Sequence, residues 1–212
     1  GDMNWTGVTN SPTLYQGVDI TAYGSVIMDP SVQVKSYTDA FLTMFGRGTG
    51  NTYQLKSAGV VWPHSGFFIN LASTNSCILQ DDFVGNTLNT TLFQVNGLLI
   101  DFNNKNVTTA RLTAGGTTVS LGSGLTKLTG AGNVFNSTAT TITPTTGIIE
   151  IASSSTASKT FIGNGKAYGT VRLTGNFEDI TTFTGNNSLA LDNQKTTAHT
   201  VLFTAGSTTT LT

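Results

Sequence analysis

Three phrases of this chain, FIGN (161–164), FTGN (183–186) and FTAG (203–206), begin 22 and 20 residues apart. Looser relatives occur as LTAGG (112–116), LTGAG (128–132) and LTGN (173–176). Each sets an apolar residue at the end of a strand-like run, followed by a glycine-containing turn. A unit this short cannot bury its own apolar face, so units recurring at about 20–25 residues must stack and share one interior. The fold class that this predicts is all-β, a parallel β-solenoid. Glycine forms the corners, where φ is positive or the next coil's backbone comes close. Phe161, Phe183 and Phe203 are then expected in one internal column. A β-sandwich also uses glycine-rich turns, but it needs no recurring phrase.

The rest of the chain agrees with short strands. Apolar or alternating runs include DITAYGSVIM (19–28), AFLTMF (40–45), FFINL (67–71), TTLFQV (90–95), LLIDF (98–102), GIIEI (147–151), YGTVRLTG (168–175) and HTVLFTAG (199–206). Several alternate with period two, as Val171/Leu173 and Val201/Phe203 do, which marks strands with one buried face. Charged residues are only 10% of the chain, against roughly 25% in ordinary soluble domains. Thr takes their place, with 40 of 212 residues, 28 of them after residue 106. Its β-branched side chain suits a pleated surface and its hydroxyl keeps that surface wet without charge. Thr in SGLTKLTG (123–130) and AGSTTTLT (205–212) is therefore expected to face outward, where stacked pairs contribute about 0.2–1 kcal/mol each. Asn133, Asn164, Asn176, Asn186 and Asn187 lie beside glycines and are expected at left-handed corners.

Residues 1–18, with Trp5, Pro12 and Tyr15 in an irregular setting, read as an N-terminal cap or linker, and residues 19–212 as the repeat domain. VVWPHSGFF (60–68) interrupts the pattern. The end of a solenoid exposes strand edges, and the Thr-rich run at Thr212 has no cover, so the array is expected to continue or to meet a partner there. Gly1 and Asp2 in place of Met suggest processing or a piece of something longer, and no signal peptide is visible.

The stretch KTFIGNGKAYGTVRLTGN…TTFTGNNSLALDNQ…HTVLFTAGSTTTLT (159–212) resembles Gly/Thr-rich repeats of phage virion fibres and bacterial surface adhesins. DITAYGSVIMDPS, LTMFGRGTGNTYQLKSAG and ARLTAGGTTVSLGSGLTKLTGAGNVFN resemble earlier coils of the same array, so the likeness covers residues 19–212. VVWPHSGFFINLASTNSCILQDD (60–82) departs from it. The resemblance implies a right-handed β-helix-like stalk, a virion or extracellular, cell-surface location, and self-association as a homotrimer. It implies no catalytic residues.

The chemistry of individual residues points to no reaction. Catalytic, cofactor-binding and metal residues are expected to be none. His64 and His199 are far apart, Cys77 is the only cysteine, and no zinc-ligand spacing occurs. Cys77 beside Ile78 and Leu79 reads as a small buried apolar residue. There is no GxSxG elbow, and GNGKAYGT (163–170) lacks the phosphate-loop spacing and reads as a turn. A polysaccharide-degrading β-helix enzyme would need paired carboxylates. Its candidates are Asp81, Asp82, Asp101, Glu178 and Asp179, each read first as a solvated turn or edge charge. Asp81 and Asp82, if in a strand, would point to opposite faces.

Carbohydrate binding without catalysis fits better, because aromatic faces stack on sugars. The candidates are Trp5, Tyr23, Tyr37, Tyr53, Trp62 and Tyr168. Ice binding would need regular Thr-x-Thr rungs, and TIT (141–143), TFT (182–184) and TLT (210–212) are too irregularly spaced. Sequons at Asn4, Asn89, Asn106 and Asn136 arise easily in so Thr-rich a chain. The net charge of −1, with ten basic residues scattered singly, argues against nucleic acid, and no apolar run reaches the roughly 18 residues of a membrane helix. The function expected is a structural or receptor-binding (adhesive) element of a phage tail fibre or virion that contacts a host surface polysaccharide. A secreted bacterial surface adhesin is the alternative, and a polysaccharide-degrading β-helix enzyme ranks behind it.

Overall fold

The computed structural model describes residues 1–36, 40–63, 65–85, 87, 92–143, 146–152, 154–204 and 208–211. Among these residues there is no helix, and strands form four sheets of seven, eight, nine and two strands. Every strand pairing is parallel. One coil shows how the chain closes. It runs along Gly66–Asn70 in the nine-stranded sheet, Ser76–Leu79 in the seven-stranded sheet and Phe83–Gly85 in the eight-stranded sheet. It then returns as Leu92–Asn96, which pairs with Gly66–Asn70 so that Phe93 lies over Phe67. About eight such turns make a β-solenoid whose three long sheets enclose one interior.

The column predicted from the repeats exists and is longer than the repeats suggest; it is interior from Leu42 to Phe183, while Phe203 at its end is exposed. In the nine-stranded sheet Ile20, Leu42, Phe67, Phe93, Leu112, Phe135, Phe161, Phe183 and Phe203 follow one another in register. The rings stack: centroids are 4.5 Å apart for Phe135 and Phe161, 5.4 Å for Phe161 and Phe183, and 5.5 Å for Phe183 and Phe203. The advance between rungs ranges from 19 residues (Phe93 to Leu112) to 26 (Phe67 to Phe93). The variation is absorbed at corners, where loop length costs little.

Three sequence expectations change on this scaffold. Of the looser phrases, only LTAGG belongs to that column. Leu128 and Leu173 of LTGAG and LTGN align through Ile151 in the eight-stranded sheet, so the phrase marks a strand's arrival at a corner and not a particular face. Of the five glycine-flanked asparagines only Asn164 is left-handed (φ 51°). Beside the others Gly132, Gly175 and Gly185 take the positive φ (69°, 97° and 97°), at no Cβ cost. Finally, Thr126 of SGLTKLTG points inward and is buried, between Val107 and Ile149 in register. Thr has the shape of Val and fits a column of β-branched residues. Thr208 and Thr210 are exposed, as expected.

Residues 1–18 contribute two strands: Met3–Asn4 pairs with Val26–Ile27, and Thr13–Gln16 pairs with Gln33–Ser36 as a separate sheet. Met3, Trp5 and Val8 pack on the core. On the outer face of the eight-stranded sheet Lys127, Glu150, Arg172 and Asp192 stack in alternating sign. Lys127–Glu150 and Arg172–Asp192 close ion pairs of 3.2 and 2.7 Å.

The stacked column carries a stability prediction. Phe161 is fully buried between two other rings, so Phe161→Ala should cost about 3–5 kcal/mol by urea denaturation. Because coils contact only their neighbours, hydrogen exchange should accelerate in strands Gly132–Ser137 and Ile180–Thr184 and stay slow in Phe41–Phe45.

Candidate functional site

On the outside of the nine-stranded sheet, side chains opposite the core column build a groove across the coils. Two outward rows run along it. One is Phe41, Gly66, Leu92 and Arg111; the other is Thr43, Phe68, Gln94, Thr113 and Asn136. Gly66 breaks the first row and makes the hollow. A Cβ there would lie 2.9 Å from both the Phe41 and Phe68 rings, so only glycine lets those rings close over the gap. Their centroids are 5.2 Å apart at 39°. Phe41 is held from behind: its N–H donates to Asp19 Oδ1 at 2.8 Å and its carbonyl accepts from Gln16 Nε2 at 2.7 Å. Under the sheet, Trp62, Phe67, Phe83 and Phe93 pack edge-on and face-on with centroids 4.3–6.0 Å apart, a stiff floor. The groove has a volume of about 660 Å³, within the usual range of roughly 300–1,000 Å³ for ligand clefts.

The polar wall depends on an irregularity. Asn133 and Asn136 are three residues apart and would face opposite sides of a regular strand. The register of Gly132–Ser137 against Lys159–Ile162 shifts between Asn133 and Phe135. This bulge makes Val134 an extra inward residue, fully buried beside Phe135, so both asparagines line the groove. Bulges of this kind re-aim side chains at sheet faces. Arg111 completes the wall, its guanidinium 3.6 Å from where a Cβ on Gly132 would stand. An aromatic platform beside amide, hydroxyl and guanidinium donors can stack on the apolar face of a ring and bond its polar rim.

Of the six aromatics expected to bind sugar, the five that lie among the described residues do not line this groove. Tyr53, Trp62 and Tyr168 are buried. The Tyr53 hydroxyl bonds the backbone of Arg47, and the Tyr168 hydroxyl donates to Gly163 O at 2.7 Å. Burial pushes the Tyr168 pKa up. Trp5 packs on the core. Tyr23 is exposed, stacked on Phe45 at 5.9 Å with the Arg47 guanidinium 5.3 Å from its ring. Tyr37, His64 and Asn89 lie outside the described residues. Phe41 and Phe68 were missed because each sits in an apolar run, AFLTMF or FFINL, where a phenylalanine reads first as core.

The carboxylates are dispersed. Asp81 and Asp82 lie in a corner between strands, not in a strand. Asp81 accepts from Ser57 N (2.7 Å) and Ala58 N, and Asp82 from Asn106 N (2.8 Å), so each caps a neighbouring coil. Asp101 accepts from Asn103 N at 2.8 Å. Glu178 is exposed, as expected. Asp179 is not a solvated edge charge: it is buried between two buried lysines from adjoining coils, with Lys159 Nζ 2.9 Å away and Lys195 Nζ also in contact. Lys159 Nζ donates further to the carbonyls of Ala157 (2.9 Å) and Ser155 (3.2 Å), and Lys195 Nζ to that of Phe177 (3.2 Å). The cluster pins three successive corners. His199, with Nδ1 2.9 Å from Thr197 O, lies nearby in a second cleft with Glu178. Among the described residues no three of His, Cys, Asp and Glu gather into a metal-binding group.

Compared with known proteins, the chain matches no family model, no curated protein and no solved structure.

Two predictions follow from the buried groups. Asp179→Asn leaves two ammonium groups without their anion and should cost about 3–5 kcal/mol in urea, whereas Glu178→Gln should stay within about 0.5 kcal/mol. Burial also pushes the Cys77 thiol from its ordinary value of 9.0 up to about 12. Between those values the unfolded chain has released a proton that the folded one keeps. Its stability contribution is therefore intact below pH 9 and falls above it, by up to about 1.4 kcal/mol per pH unit. Melting curves from pH 8 to 11 should show this decline, and Cys77→Ala should flatten it.

Proposed function

We propose that this chain is a structural and receptor-binding element of an extracellular or virion fibre, and that the groove over Phe41 and Phe68 holds a surface glycan. The groove carries the reading. Its walls are aromatic and aliphatic carbons, amides, hydroxyls and one guanidinium, groups that hold a sugar ring by stacking and hydrogen bonding. Its long direction crosses the strands Phe41–Phe45, Gly66–Asn70, Leu92–Asn96, Arg111–Ala114 and Gly132–Ser137. Four inter-strand steps give it a reach of roughly 19 Å, long enough for several units of an extended chain. The stacked scaffold supports the structural half of the reading, since a solenoid presents a rigid surface along its axis. The likeness of its repeats to fibre proteins supports a homotrimeric assembly, which light scattering at the mass of a monomer would remove.

Glycan arrays probed with the whole chain should return bound polysaccharide fragments. Phe68→Ala should weaken that binding by about tenfold or more, equivalent to about 1.4 kcal/mol. Tyr23→Ala, exposed on the same sheet but outside the groove, should leave it unchanged. Equal loss from both substitutions, or unaltered binding by Phe68→Ala, would remove the groove from the reading.

A further inference from the structure

We infer that the glycan held in this groove is acidic, and that Arg111 receives its anionic group. The inference rests on the glycan reading and narrows its chemistry. Arg111 opens strand Arg111–Ala114 and is half-buried at the polar wall. Its Nε is sealed from solvent and has no hydrogen-bond partner among the described residues. A guanidinium N–H buried without an acceptor is costly, and a charged one more so.

Six of the other nine cations have a carboxylate or aromatic partner among the described residues, Lys35 by lying over the Tyr15 ring. Lys127, Lys159, Arg172 and Lys195 contact carboxylates, and Arg47 lies over a tyrosine ring. Arg111 is paired with no carboxylate among the described residues, and the lining of its groove holds no acidic side chain. The groove therefore offers one uncompensated positive charge at the edge of an aromatic platform.

The geometry points to what fills it. The guanidinium stands beside Gly132, and Asn133 and Asn136 stand on the next strand of the same wall. A pyranose lying on Phe68 and Phe41 would bond its hydroxyls to these amides and present a ring substituent to Arg111. The guanidinium fork matches a carboxylate with two parallel N–H···O bonds, and these charge-assisted bonds are about twice as strong as neutral ones. A sulfate ester offers the same acceptor chemistry, so the shared requirement is one anionic oxygen group per bound unit.

The test uses the whole chain against three immobilised probes: uronate-containing oligosaccharides, the same oligosaccharides after carboxyl reduction, and sulfated oligosaccharides. The expected result is binding of a uronate probe that drops about tenfold or more on carboxyl reduction and weakens with added salt. Arg111→Gln should collapse the preference for the acidic over the reduced probe. Arg111→Lys, which keeps the charge and loses the fork, should retain part of it and serve as the folding control. Preference for the sulfated probe that is equally lost in Arg111→Gln keeps the anion site and reassigns its source to a sulfate ester. Equal binding of acidic and reduced probes by the native chain overturns the acidic inference while the glycan reading stands. A preference that survives Arg111→Gln removes Arg111 from it. Binding of no probe overturns both.

Discussion

Everything in this molecule depends on parallel strands stacking in register at about 4.8 Å per coil. That pairing repeats each residue's position directly over a residue of the coil below, so like environments propagate along the axis. It allows one row of phenylalanines to form a continuous core although the coils differ in length. The corners carry the cost of the differences. Side-chain acceptors there cap backbone N–H groups of the adjoining coil: Asp19 to Phe41, Asn75 to Asn51, Asn104 to Ser123 and Asn106 to Leu125, at 2.8–3.0 Å. Buried backbone groups must find such partners, and here the neighbouring coil supplies them.

The same stacking gives each outer face its own chemistry. On the eight-stranded sheet it aligns four charges of alternating sign, which neutralise one another. On the nine-stranded sheet it aligns aromatic, amide and guanidinium groups and leaves one cation unmatched. The Lys159–Asp179–Lys195 cluster uses stacking differently, with an anion of the middle coil meeting cations from the coils on either side. Burying such a cluster is a weak source of net stability, because desolvation offsets the attraction. What it adds is a fixed order of coils at that corner.

Much of the fold was legible because a repeat must stack, and the FIGN, FTGN and FTAG phrases identify residues that align in Phe161, Phe183 and Phe203. The limits are equally physical. The phrase apolar–Thr–Gly describes arrival at a corner, which every face has, so it could not assign Leu128 and Leu173 to their sheet. Thr126 could not be told from an outward threonine because its shape also suits the core. The groove was less legible than the fold. Phe41 and Phe68 look like core residues in sequence, and Asn133 shares a side with Asn136 only through the bulge at Val134.

By itself, then, the sequence determined the class of architecture, because a phrase that recurs with its apolar residue is what stacked coils require and a sandwich does not. It also set the poverty in charge that makes each remaining ionic contact stand out. Only the tertiary structure decided which residues meet across coils. Neighbours on successive coils are separated along the chain by 19 to 29 residues, a spacing too variable to count from sequence. Gly66, Phe68, Arg111 and Asn136 become one surface only once the coils are laid on one another.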